Sequence, residues 1–347
     1  MNTTKTRRRG VIVTGVLSTI ALAGLAFGVS LEHIYRMRTS RTYPAPGRTV
    51  DVGDGVSLQV DCRGKGLPTV VLESGLDIYG SLSWSAVHDS IAATTRACAY
   101  SRKGIMWSTG RSASFDVETS ARQLHSALTK LGEPAPYVMV GHSIGGPYNV
   151  VFASLFPGDV AGFVMVDASH PDQFAQFERA AGKSLQPSAT LPRLVGRLSW
   201  TGVVRAIPLP TAPDHWPQLT RDAGQAFLTQ SVAGYAAELA AIPATLASAR
   251  THDLGDRPLI VLSVSDAKKQ DELATMGLSA GQGARLDEAH RKLAADMATW
   301  SSRGRLELVP GSTHSIQMDR PDVVIRAVRE VVSYVIAHDS APPYRRR

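Results

Sequence analysis

Residues 141–145 read Gly-His-Ser-Ile-Gly, and they restrict the fold more tightly than anything else in the chain. The uncharged run Tyr137-Val138-Met139-Val140 leads into them, and a helix-compatible segment follows through Phe156. A serine with glycine two residues to either side fits a turn sharp enough to join a strand directly to a helix. Side chains at 141 and 145 would collide with the neighbouring strand or helix. Such a turn lifts Ser143 Oγ above the strand ends and leaves backbone N–H groups free at a helix start. The bare pattern is common; the strand before it and the helix after it give it meaning.

The flanking sequence repeats the theme. Short apolar strands are expected at 49–52, 56–62, 68–73, 97–100, 137–140, 160–166, 258–264 and 305–309. Gly53-Asp54-Gly55 marks a hairpin between the first two. Helical spacing appears at 83–93, 116–131, 284–300 and 321–337. Strands alternating with helices predict an α/β fold, a mostly parallel sheet with helices on both faces. From 170 to 256 the pattern loosens around Pro192, Pro208, Pro210, Pro213, Pro217 and Pro243. This stretch reads as an insertion of short helices capping Ser143. Trp200, Phe227 and Tyr235 in it are candidates either for lining a pocket or for packing inside the insertion. The expected organisation is a targeting segment and stalk (1–41), a first core part (42–169), a helical cap insertion (170–256), a second core part (257–340) and a basic tail (341–347).

A serine hydroxyl needs a base to act as a nucleophile. His314, in Gly311-Ser312-Thr313-His314, falls between the last strand and the last helix. The other histidines are worse placed: His33 in the stalk, His88, His125, His290 and His338 on helices, His215 and His252 in the insertion. His142 adjoins the serine and is expected to pack beneath the turn. The imidazole needs a carboxylate to fix its tautomer. Asp266, after strand 258–264, and Asp167, at the end of strand 160–166, compete for that place. A developing oxyanion needs fixed N–H donors. They are expected from the backbones of Ile144 and Leu76, the latter beside Gly75, which allows close backbone approach.

Charge and cysteine content narrow the partners. The formal charge is +7, but Lys5, Arg7, Arg8, Arg9, Arg36, Arg38, Arg41 and Arg345–Arg347 carry the excess. The body is slightly acidic, which argues against a nucleic-acid face. Residues 11–31 form a largely apolar run behind the N-terminal cations, long enough to span a bilayer. They are expected to anchor the chain once in the cell membrane, with the catalytic body outside the cytoplasm. The alternative is a secretory signal cleaved near Ala21-Leu22-Ala23; Arg8-Arg9 also has the look of a twin-arginine export signal. With two cysteines, Cys62 and Cys98, and no zinc spacing, no metal site is expected.

These residues resemble the α/β-hydrolase superfamily, and within it bacterial esterase-like serine hydrolases. Four stretches carry the resemblance: Val70-Val71-Leu72-Glu73-Ser74-Gly75-Leu76, the turn at 141–146, residues 164–170, and His314-Ser315-Ile316-Gln317-Met318-Asp319-Arg320-Pro321. It implies an eight-stranded sheet, and the usual place of the acid in this fold favours Asp266, with Asp167 as the alternative. It implies that the second strand pairs with the fourth, which would bring Cys62 and Cys98 together as a disulfide. Relatives often carry Asp-Arg-x-Gly after the fourth strand; here Ser101-Arg102-Lys103-Gly104 places serine first. The implied reaction is hydrolysis of a small-molecule carboxylic ester through an acyl-enzyme, with no cofactor. A peptidase or amidase on the same residues, or a non-catalytic binding protein of this fold, are the competing readings.

Overall fold

The central strands are apolar on both sides because they are covered on both sides. In the computed structural model, which describes residues 3–110, 115–207, 212–250 and 253–338, eight strands form one sheet. They are β1 (Arg48–Gly53), β2 (Val56–Arg63), β3 (Thr69–Glu73), β4 (Ala97–Ser101), β5 (Tyr137–His142), β6 (Val160–Val166), β7 (Leu259–Val264) and β8 (Gly304–Val309). Their order is β1-β2-β4-β3-β5-β6-β7-β8. β1 and β2 form an antiparallel hairpin, β2 pairs antiparallel with β4, and all later pairings are parallel. Buried parallel strands need apolar residues facing both ways.

The helices are α1 (Thr3–Thr42), α2 (His88–Ala92), α3 (Val117–Leu131), α4 (Gly145–Leu155), α5 (Gln173–Ala181), α6 (Thr190–Leu198), α7 (Gln218–Ser248), α8 (Gln270–Thr275), α9 (Ala280–Ala298), α10 (Ile316–Asp319) and α11 (Pro321–His338). Strand alternation sorts the core into two layers. Val71 and Met139 face α3, α4 and α9, packing with Leu128, Val151 and Met297. Val70, Leu72, Val138 and Val140 face α2 and α11, packing with Ile91, Val324 and Val328. The ends of α3 follow from its sequence: Asp116 accepts from Thr119 N at 2.7 Å, and Gly132 closes the helix at φ 72°.

Cys62 and Cys98 are register partners across β2 and β4 and are joined as a disulfide. Other expectations are revised. The helix expected at 83–93 is a 3₁₀ turn, Gly80–Trp84, followed by the single turn of α2. The segment between β6 and β7 is less fragmented than its prolines imply, because α7 runs for 31 residues through Pro243. Pro217 stands just before its start, where a missing N–H costs nothing. Its alanine-rich sequence has high helix propensity. The expected stalk is also absent as such: residues 32–42 continue α1 and are docked on the body. Glu32 is buried and paired with Arg36 at 2.7 Å and Arg205 at 2.6 Å. Pro208, Pro210, His252 and the basic tail lie outside the described residues.

Candidate active site

Three side chains gather beyond the carboxyl ends of the central strands, where open α/β sheets place their ligands. Ser143 follows β5 directly and sits at φ 53°, in the left-handed region. The two glycines are required by space. A Cβ on Gly141 would meet Asn149 Nδ2 at 2.6 Å, and one on Gly145 would meet Glu73 O at 2.6 Å. The strained turn is held by Ser143 N donating to Val166 O (3.1 Å) and by Ser169 N donating to Ser143 O (2.8 Å).

Asp167 follows β6 and His314 follows β8. His314 Nδ1 donates to Asp167 Oδ2 at 2.6 Å. Asp167 Oδ1 accepts from Val264 N at 3.1 Å and lies 3.4 Å from His290 Nε2. Burial alone would raise this carboxyl. The His314 hydrogen bond and charge, with that of His290, outweigh it and hold the group at about 2. Asp266, the acid favoured from sequence, is not against His314. It lies in an exposed loop beyond β7, where Oδ2 accepts from Gly311 N at 2.9 Å. The difference is one of reach. Asp167 immediately follows Val166, which pairs with both His142 and Leu262, so its carboxylate stands at the middle of the sheet.

His142 is more than packing. Its Nε2 donates to the carbonyl oxygen of His314 at 2.9 Å, tying the turn to the histidine loop. Burial, with the nearby His314, depresses this imidazole to about 3, so it is neutral. The loop is fixed from its other end by Asp319, whose Oδ2 accepts from Thr313 N (2.7 Å) and whose Oδ1 takes His215 Nε2 (2.7 Å). Sequence reasoning set His215 and His290 aside. No local signal marks them, since only the packing of the insertion and of α9 brings them here.

The loop after β3 passes beside the turn: a Cβ on Gly75 would meet Ser143 Cβ at 3.1 Å. Leu76 follows in that loop, and Ile144 stands at the start of α4. Beneath lies a buried charge cluster that sequence reading missed. Arg102 donates to Glu73 Oε1 (2.6 Å), to the carbonyl oxygens of Ser74 (2.8 Å) and Gly75 (2.6 Å), and to Glu238 Oε2 (2.7 Å). It thus clamps the loop to α7. Burial pushes the Glu73 and Glu238 carboxyls up, against the pull of Arg102. Ser101 donates to Gln59 Oε1 at 2.7 Å.

A cleft of about 990 Å³ opens above Ser143, Asp167 and His314, bordered by Phe177, His215 and His290. Trp200 and Phe227 border a different cleft, of about 1140 Å³, and Tyr235 packs in the core. Among the described residues, the one grouping of potential metal ligands is Cys62, Cys98 and Glu133, whose sulfurs are already joined.

Comparison with known proteins agrees with this architecture. The profile of the Alpha/beta hydrolase family matches residues 70–327, and the chain belongs to that family. It is 25% identical to the protein YbdG of Bacillus subtilis over 165 residues, 46% of this chain and 50% of that protein. It is 39% identical to a Schizosaccharomyces pombe protein, C23C11.06c, over 74 residues, 21% of this chain and 14% of that one. The chain thus spans half the length or less of these curated relatives. Among solved structures, a thermophilic esterase from Thermogutta terrifontis superposes with a TM-score of 0.56 at 20% identity, covering 81% of this chain and 94% of the esterase. A probable hydrolytic enzyme from Pseudomonas aeruginosa gives 0.61 at 19%, covering 84% and 95%.

Proposed function

We propose that this protein is a serine esterase in which Ser143, His314 and Asp167 act as nucleophile, base and acid on a small carboxylic ester. The observation that carries this reading is the 2.6 Å bond from His314 Nδ1 to the buried Asp167, beside a serine held at φ 53°. That bond leaves Nε2 of His314 to take the Ser143 proton as Oγ attacks the ester carbonyl. The charge on the carbonyl oxygen is met by the N–H groups of Leu76 and Ile144. His314 returns the proton to the departing alcohol, leaving Ser143 acylated. Water then gives a proton to His314 as it attacks the acyl carbonyl, and His314 returns that proton to Ser143 Oγ as the acid leaves. The ester reading draws support from the esterase among the structural neighbours. Another neighbour is described as an N-acyl homoserine lactone degrading enzyme, and a lactone is a cyclic ester.

α1 includes an uncharged, largely apolar run, residues 11–31, long enough to cross a membrane. With Lys5 and Arg7–Arg9 before it, α1 is proposed to anchor the enzyme with its body outside the cytoplasm. The test of the chemistry is labelling by a fluorophosphonate probe. The full chain should label and Ser143→Ala should not; a folded wild-type protein that does not label would overturn the reading.

A further inference from the structure

We infer that the outer face of the segment between β6 and β7 is seated on the same bilayer that α1 enters. This inference rests on the reading of α1 as a membrane anchor and adds an orientation for the body. It begins from the place where α1 leaves the protein. From Gly28 onward the helix is fixed. A side chain at Gly28 would strike the carbonyl oxygen of Thr201, and one at Gly202 would meet Gly28 O at 2.6 Å. Beyond that contact Glu32 is held by Arg36, Arg205 and Thr229, and Trp107 Nε1 donates to Tyr43 O at 2.9 Å. Before it, Val16, Leu17, Ile20, Leu22, Leu25 and Phe27 are all exposed. The helix therefore departs at Thr201–Gly202.

Trp200 and Val203 flank those two residues, each within about 4 Å of chain. They are exposed at 53% and 50%. These two side chains therefore stand beside the point where α1 leaves the body. The face continues along α6, none of whose residues is buried. Leu191, Leu194 and Leu198 recur at helical spacing and are exposed, with Arg193 and Arg197 exposed between them. The helix's opposite side is accounted for, since a Cβ on Gly196 would meet Ala233 of α7 at 3.0 Å. An apolar stripe with arginines along one flank and a tryptophan beside it is the make-up of a helix lying in a membrane interface. In water, so continuous an apolar patch is a liability. A second copy of the chain could cover the same stripe, but the helix leaving beside it puts a bilayer there first.

The test uses the full chain in vesicles of phosphatidylcholine and phosphatidylglycerol brominated near the headgroup end of the acyl chains. The chain has five tryptophans. Trp84 and Trp300 are buried, and Trp107 and Trp216 are partly so. Bromine should quench the wild type at least twofold more, in intensity lost, than Trp200→Phe. Equal quenching in the two, in chains that resist extraction by alkaline carbonate, overturns this inference and leaves the anchor standing. Chains that wash off at alkaline pH refute the anchor and, with it, this inference. An intermolecular disulfide in Leu194→Cys, with Trp200 unquenched, would assign the face to a second copy and overturn the inference.

Discussion

Replacing His142 with glutamine should make the protein less sensitive to mild acid. The imidazole is buried, and its Nε2 must carry the proton because its partner, the His314 carbonyl, only accepts. Nδ1 is left bare, with no hydrogen-bond partner. A second proton would put a charge where no water reaches, and burial depresses the group from 6.5 to about 3. Between those values the unfolded chain binds a proton that the folded chain refuses. Stability from this group is therefore complete above pH 6.5 and declines as pH falls toward about 3. At about 1.4 kcal/mol per pH unit, acidifying to about pH 5 removes about 2 kcal/mol. For a body of about 300 residues that is roughly 3 °C in melting temperature. Glutamine keeps an N–H donor but cannot titrate. His88 and His290 are also depressed by burial, so the quantity to compare is the difference between two melting curves against pH. The wild type should lose roughly 3 °C more than His142→Gln on going from neutral pH to about pH 5. Parallel losses in the two proteins would refute the assignment of a buried, neutral His142.

Three further outcomes are expected. Asp167→Asn should lower kcat for an ester by about 10⁴-fold, as removal of a triad carboxylate does, while Asp266→Asn stays within about tenfold of wild type. The reverse ranking in steady-state assays would return the acid's role to Asp266. Serine at both Cys62 and Cys98 should cost about 3–4 kcal/mol in denaturant titrations, given a sequence separation of 36. An unchanged midpoint, together with two alkylated thiols in the unreduced wild type, would mean that the bond does not form. Arg102→Met should destabilise by about 3–5 kcal/mol, because Glu73 and Glu238 lose the cation between them; a urea midpoint within error of wild type would speak against a dry cluster.

Much of the sheet is written in short-range pattern. Val70-Val71-Leu72 and Val138-Met139-Val140 leave no choice but a strand covered on both sides, and both ends of α3 carry their caps. Ser143 is legible because its turn imposes glycine at fixed offsets. What the sequence leaves open depends on contacts across the chain. Asp167 and Asp266 both follow β-branched runs, and only the pairing of β6 between β5 and β7 decides which reaches His314. Arg102 and Glu238 are 136 residues apart, and nothing local marks either as buried. Pro243 misleads because a proline within a helix is costly in isolation, whereas α7 is held along its length by tertiary packing.

On the proposed anchoring through α1, the disulfide has a mechanical consequence. Tension applied through α1 would first load its docked stretch at Gly28 and Glu32, and once that is pulled off the body it would reach β1, which is held to β2 as a hairpin. Pulled from that end, β1 peels away first and β2 follows from Val56 onward. Peeling stops at Cys62, because the bond to Cys98 transfers the load to β4, deep in the sheet. Everything that builds the cleft lies downstream of that stop. The bond is a strain relief: a tug on the anchor can fray the edge hairpin while β3, β5 and the residues around Ser143 stay in register.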